Sequence, residues 1–278
     1  MLEALSARWP EYLIEGALLG AFMVAACVAV VIVQHPRSPV ARAMMRHHLR
    51  RVLIGILMGL TAVGLIYSPW GSRSGAHMNP GTTLTFLVLG KVRPWDAAFY
   101  ILSQFIGAFA GVLIARAVLG RFVAHETVNY AATLPGRRGL AVAWLAEFAI
   151  AAGMMSMVLF STNHAFSAPY TGIFAGLLVA VYIAVEAPIS GMSMNPARTL
   201  GSALHARAFR GLWIYFTAPP LGMLCAASLY TAASGPVYCC KMHHDHGPCI
   251  FHCEIRGMPG RHTNLLGPRG IEHAGSMP

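Results

Sequence analysis

Two copies of one short stretch constrain this chain more than anything else in it. The first reads Ser74-Gly75-Ala76-His77-Met78-Asn79-Pro80-Gly81, the second Ser190-Gly191-Met192-Ser193-Met194-Asn195-Pro196-Ala197-Arg198; both follow Ser-Gly-x-x-Met-Asn-Pro-small, 116 residues apart. Asn before Pro starts a helix, because Asn caps the free N–H groups and Pro at the first helical position lacks only an N–H that needs no partner. About ten mostly apolar residues follow each copy, too few to cross a bilayer. Short apolar segments broken by Gly and Pro at matching places in two halves point to a site at mid-membrane depth.

The rest of the chain supplies the membrane. Of 278 residues, 56% are hydrophobic and only 11% charged, against roughly a quarter charged in soluble domains. Apolar runs at about 12–33, 52–69, 96–115, 140–161, 170–188 and 212–233 are near spanning length. The first run is too long for a signal peptide, and Val28 to Val33 offers no clear small-x-small cleavage site, so it is expected to remain as a span. Three spans plus a half-helix, twice, predict an all-α membrane protein of six transmembrane helices and two re-entrant half-helices (about 80–90 and 197–206). An odd number of spans per repeat inverts the second copy relative to the first. The expected divisions are a head at 1–10, a membrane domain at 11–234 with repeats of about 11–120 and 139–234, and a tail at 235–278. The net charge of +10 lies between spans rather than on one face, which argues against nucleic acid as a partner.

The two boxes resemble the paired Asn-Pro-Ala boxes of the aquaporin and glycerol-facilitator (major intrinsic protein) family over about residues 11 to 234. Asn195-Pro196-Ala197-Arg198 matches fully; the first box departs, with Gly81 where the family usually has Ala. The resemblance implies the aquaporin-like fold, a passive channel for water or small neutral solutes that excludes protons and ions, no enzymatic activity, a homotetramer among membrane lipid, and both termini in the cytoplasm, with the plasma (inner) membrane the expected location. Charge points the other way: that topology puts twelve of the twenty Lys and Arg outside, whereas these residues favour cytoplasmic loops.

The resemblance also assigns residues. Asn79 and Asn195 would be the pore asparagines, each capping a half-helix through its oxygen and leaving its NH2 free for a passing solute. Two half-helix N-termini meeting there would oppose cations. Arg198 would line the outer constriction as a fixed cationic fork, with Ile183, Met192 and either Met58 or Gly59 as the other members. That constriction lacks the usual aromatic and the His of many water channels, which makes it apolar and wider. Thr199, Ala203 and Tyr215-Phe216 side instead with water channels, so water and another small neutral solute such as glycerol, ammonia or a metalloid both stay open. Glu15 and Glu147 match the family's membrane-embedded Glu, a brace for the loop before each half-helix; a Glu at headgroup level is the plainer alternative. His77 would sit at the cytoplasmic pore mouth, either modulating flow by protonation near pH 6–7 or serving as a structural hydrogen bonder.

Residues 235–278 are of another composition. Cys239, Cys240, Cys249 and Cys253 lie there among His243, His244, His246 and His252. No cofactor is required by the resemblance, but thiols and imidazoles so dense suit Zn2+ or Cu+. The candidate ligands are Cys239, Cys240, His243, His244, Cys249 and Cys253, with Cys249 and Cys253 on one helix face and the metal regulating the channel. A disordered His-rich tail or a disulfide is the competing expectation. A secondary transporter would need mid-depth carboxylates, and Glu15, Glu147 and Glu186 all lie near span ends.

Overall fold

The computed structural model describes residues 1–244 and 249–258; His246 lies outside them. The described residues form helices and turns without a strand. In chain order the α-helices are α1 (Leu2–Gln34), α2 (Pro39–Ala43), α3 (His47–Tyr67), α4 (Pro69–Ser74), α5 (Pro80–Val88), α6 (Pro94–Leu119), α7 (Arg121–Ala124), α8 (Leu140–Thr162), α9 (Thr171–Val185), α10 (Ala187–Ser190), α11 (Pro196–Ala206) and α12 (Leu212–Ser234). Among the described residues six helical segments are long and apolar enough to cross a membrane: α1, α3, α6, α8, α12, and α9 together with the 3-10 turn that leads into it (Ala168–Val185). The protein is thus an integral, multi-pass membrane protein, with the spans where the apolar runs predict them. The head expected at 1–10 is itself helical: α1 begins at Leu2 and runs on across a break at Arg8 (φ −135°, ψ 16°) just before Pro10. Arg8 donates to both Asp96 oxygens at 2.8 Å and Tyr12 donates to Asp96 at 2.6 Å, which ties the head to the start of α6.

Equivalent spans pair in the two repeats, α1 with α6 and α8 with α12, and α3 packs on α9 between the repeats. Small residues bring backbones together at these crossings, as close helix contact in lipid requires. A Cβ on Gly107 would overlap the Gly16 carbonyl, and one on Gly111 the Gly20 carbonyl. The half-helices interlock the repeats: α5 of the first packs on α12, and α11 of the second on α6. With nine and eleven residues at about 1.5 Å each, α5 and α11 end to end measure about 30 Å, one hydrocarbon thickness.

The same local chemistry builds both re-entrant loops. Each begins with a short helix of six or four residues, α4 or α10, closed by a glycine in the left-handed region, Gly75 (φ 92°) or Gly191 (φ 89°). Ala76 and Met78, like Met192 and Met194, also have positive φ between 47° and 56°. That conformation is unfavourable for residues with a Cβ and persists only where the surroundings over-determine it. Buried carboxylates do so here. Glu15 accepts from the N–H of His77 (3.0 Å) and Met78 (2.7 Å) and from the Ser74 hydroxyl (2.9 Å). Glu147 accepts from Ser193 (2.8 Å) and Met194 (2.7 Å) N–H and from the Ser190 hydroxyl (2.5 Å). Both Glu are fully buried, against the loops they brace.

Residues 235–244 and 249–258 pack against the membrane face on which the chain starts. Tyr238 N–H donates to Asn163 Oδ1 (2.6 Å) at the end of α8, and Lys91 pairs with Glu254 (3.0 Å) just beyond α5. Among the described tail residues there is one 3-10 turn (Ile255–Gly257) and no α-helix. The expected helix face carrying Cys249 and Cys253 is therefore absent: the chain there is irregular, with bends at Ile250 and Phe251, and packs back on the channel-like domain.

Candidate functional site

The two half-helices meet N-terminus to N-terminus at Asn79 and Asn195. Asn79 Oδ1 accepts from Gly81 N–H (2.8 Å), and Asn195 Oδ1 from Ala197 (3.0 Å) and Arg198 (3.1 Å) N–H. The capping argument expects each NH2 to be left free, and that holds only in part. Asn79 Nδ2 donates to the Met194 carbonyl and Asn195 Nδ2 to the Met78 carbonyl, each at 2.7 Å. An amide nitrogen carries two hydrogens, so one N–H of each Asn is committed to the opposite repeat, orienting the side chain, and one remains. Gly81 has a physical reason as well: a Cβ there would lie 3.0 Å from Met223 Sδ, so Met223 takes the room an alanine methyl needs.

Both asparagines line a single cavity of about 570 Å³. Toward the terminal side its wall includes Ala76, His77, Val158, Met223 and the tail residue Met242; toward the opposite side it includes Met58, Ile183, Met192, Arg198 and the connector between α6 and α8. The wall is mostly apolar, with the asparagine amides and the guanidinium as its convergent polar groups. Met58, Ile183, Met192 and Arg198 thus share one cavity. Gly59 does not join them: a Cβ there would strike the Gly176 carbonyl and the Ala180 side chain. Its place is the α3–α9 contact, and of the two open positions Met58 is the one on the cavity wall.

Arg198 is held by a residue that sequence reasoning passed over. Its Nη1 donates to Thr133 Oγ1 at 2.8 Å, and Thr133 is in turn 3.1 Å from Thr199 Oγ1. Thr133 stands in the irregular connector, where neither periodicity nor spacing singles out one polar residue among many. Backbone at positive φ from Asn129 to Ala131 folds this connector back onto the molecule, so that Val128, Ala131 and Leu134 reach the cavity wall. Nothing in the sequence marks Tyr100, and Tyr215 stands out there only as a residue type; their hydroxyls donate to the Ser74 (2.8 Å) and Ser190 (2.5 Å) carbonyls, a matched pair bracing the two loops.

His77 lies in the loop outside the six spanning helices, and both ring nitrogens are engaged. Nε2 is 3.0 Å from the Cys240 carbonyl and Nδ1 3.1 Å from Thr83 Oγ1. A carbonyl only accepts, so Nε2 carries the proton and Nδ1 accepts from the threonine. The ring is sandwiched between Phe86 and Phe251 at 5.4 and 5.5 Å. Burial pushes its pKa down to about 4, opposed in part by the Cys240 carbonyl.

In the tail, four of the six candidate ligands converge. The ligand atoms of Cys239, His244, Cys249 and Cys253 lie within 4.8 Å of one another. Cys240 and His243 are not among them. Cys240 is fully buried with the core next to His77, and the His243 ring packs edge-on to Tyr67 at 4.8 Å.

Comparison with known proteins agrees with this geometry. The family described as Major intrinsic protein matches residues 16–230. The probable aquaporin NIP7-1 of Arabidopsis thaliana is 34% identical over 194 residues, covering 67% of this chain and 66% of that one. Aquaporin NIP2-1 of Zea mays is 37% identical over 175 residues, covering 62% and 57%. The chain spans less than two thirds of the length of either relative. The crystal structure of the aquaglyceroporin from Plasmodium falciparum superposes with a TM-score of 0.65 over 81% of this chain and 96% of the other, at 15% identity, a likeness of fold.

Proposed function

Because the chain belongs to the major intrinsic protein family, we propose that it is a passive transmembrane channel for water and small neutral solutes that excludes protons and ions, and not an enzyme. The observation that carries this reading is the pair of cross-tied asparagines, each keeping one amide N–H, where two half-helix N-termini meet in one cavity. A solute oxygen passing them accepts from both amides, and a water accepting from both cannot also relay a proton along the file. The dipole ends and Arg198 repel cations at the centre and at the constriction.

The constriction of Met58, Ile183, Met192 and Arg198 has one cationic fork and three apolar side chains. It favours a second, wider reading in which glycerol, ammonia or a neutral metalloid passes as well as water. We place both termini in the cytoplasm of the plasma (inner) membrane and the protein in a homotetramer with one pore per protomer; the family resemblance supports both. Purified protein in liposomes should speed osmotic shrinkage in stopped flow without proton leakage. Shrinkage equal to that of empty vesicles, with glycerol, urea and ammonia uptake also at background, would defeat the proposal.

A further inference from the structure

We propose that Cys239, His244, Cys249 and Cys253 bind one Zn2+ ion, and that this ion fastens the tail as a plug over the terminal-side end of the cavity. The four residues follow a Cys-x4-His-x4-Cys-x3-Cys pattern, and the fold turns that spacing into a cluster. Cys239 and Cys249 sulfurs are 3.8 Å apart, and His244 Nε2 is 3.2 Å from Cys253 Sγ. A tetrahedral zinc with Zn–S bonds of about 2.3 Å holds its sulfurs about 3.8 Å apart. All six cysteines are free thiols. Three thiolates and one imidazole fill the coordination shell and leave no open position, the donor set of a structural rather than a catalytic site.

The need for such a fastener lies in the tail itself. Its described residues hold one short 3-10 turn and little regular structure, and loops of this kind order only when something compensates their conformational entropy. Cys239 and Cys253 flank the segment that meets the cavity. Between them, Met242 donates its N–H to the Gly75 carbonyl (3.0 Å) and lines the cavity, Lys241 Nζ reaches the Ser72 carbonyl (2.7 Å), and Phe251 stacks on His77. A single ion joining the two ends closes this segment into a loop pinned to the first re-entrant turn. Release of the ion frees the loop to leave the mouth.

The metal part of the proposal is independent of the channel reading; the flux part rests on it. Protein purified in mild detergent without a His-tag should carry about one zinc per chain, and the Cys249→Ser, Cys253→Ser double variant should lose it while Cys225→Ser, at an exposed span cysteine, keeps it. One equivalent of copper instead of zinc, a metal-free wild type, a disulfide among these thiols, or zinc retained by the double variant would each overturn the site. Co2+ exchanged into the wild type should give tetrahedral d–d bands and a thiolate charge-transfer band, which guards against a variant that merely misfolds. Lys241, 3% exposed, should become cleavable by trypsin when a chelator removes the zinc; cleavage equal with and without zinc would overturn the fastening. In liposomes, chelation should raise water flux severalfold in the wild type and leave the double variant, already fast, unchanged. Active wild type indifferent to chelator would overturn the plug, whereas background flux in every sample would count against the channel reading and leave the zinc and trypsin results to judge the site.

Discussion

Arg198 shows how one side chain is given a role by its neighbours. Its guanidinium is fixed by Thr133, its backbone N–H by Asn195, and three apolar side chains share its cavity. Arg198→Ala should admit cations, read as conductance in proteoliposomes above that of the wild type; equal conductance would remove Arg198 from ion exclusion. Ile183→His should put a polar ring opposite it and lower glycerol uptake relative to water, about tenfold if the larger solute loses about 1.4 kcal/mol. His77 makes a different prediction. An unfolded histidine titrates near 6.5 and this buried one near 4. Its contribution to stability is therefore complete above about pH 6.5 and lost as pH falls toward 4. Flux should show no inflection from this ring near pH 6.5, and a titration there in a pH series of liposome shrinkage would mean that the ring is charged in the folded protein.

At the scale of elements, each re-entrant loop is a strained backbone organised by one carboxylate. Ser190, Ser193 and Met194 all donate to Glu147, and a carboxylate is the side chain that accepts at both oxygens. Glu147→Gln replaces one acceptor oxygen by a donor, leaving at least one buried N–H or O–H unpaired at about 1–3 kcal/mol. Glu147→Ala strands all three. Thermal unfolding in detergent should rank wild type above Gln above Ala, and a Gln variant as stable as wild type would show that the brace is dispensable. The same logic applies to Glu15, to which Gln104 Nε2 also donates at 3.0 Å.

For the whole molecule, the outer surface is that of a protein in lipid. Large apolar side chains such as Leu60, Ile106, Val118, Leu177 and Leu229 are exposed on the spans. Trp9, Trp70 and Trp95 lie near helix ends on the terminal side, and Trp144 and Trp213 near those on the other, as interfacial anchors do. Tetramers bury part of such a surface, so crosslinking in mild detergent should proceed to four chains; a ladder ending at monomer would argue against the homotetramer.

The architecture was legible in the sequence because its signals are local. Asn-Pro starts a half-helix wherever it stands, twenty apolar residues make a span, and a box repeated at matching places implies the inverted repeat. Asn79, Asn195, Arg198, Glu15 and Glu147 could be named for the same reason, since each sits at a fixed offset from a box or within an apolar run where polarity stands out. Tertiary structure decided what depends on residues distant in the chain. It set Met58 rather than Gly59 on the cavity wall, because helix rotation follows from the α3–α9 packing. It gave one N–H of each asparagine to the other repeat, and it gave Arg198 the Thr133 of an irregular connector. Four of the six candidate tail ligands were brought together and Cys240 and His243 turned away, because the tail takes its shape from the surface it lies on rather than from any periodicity of its own.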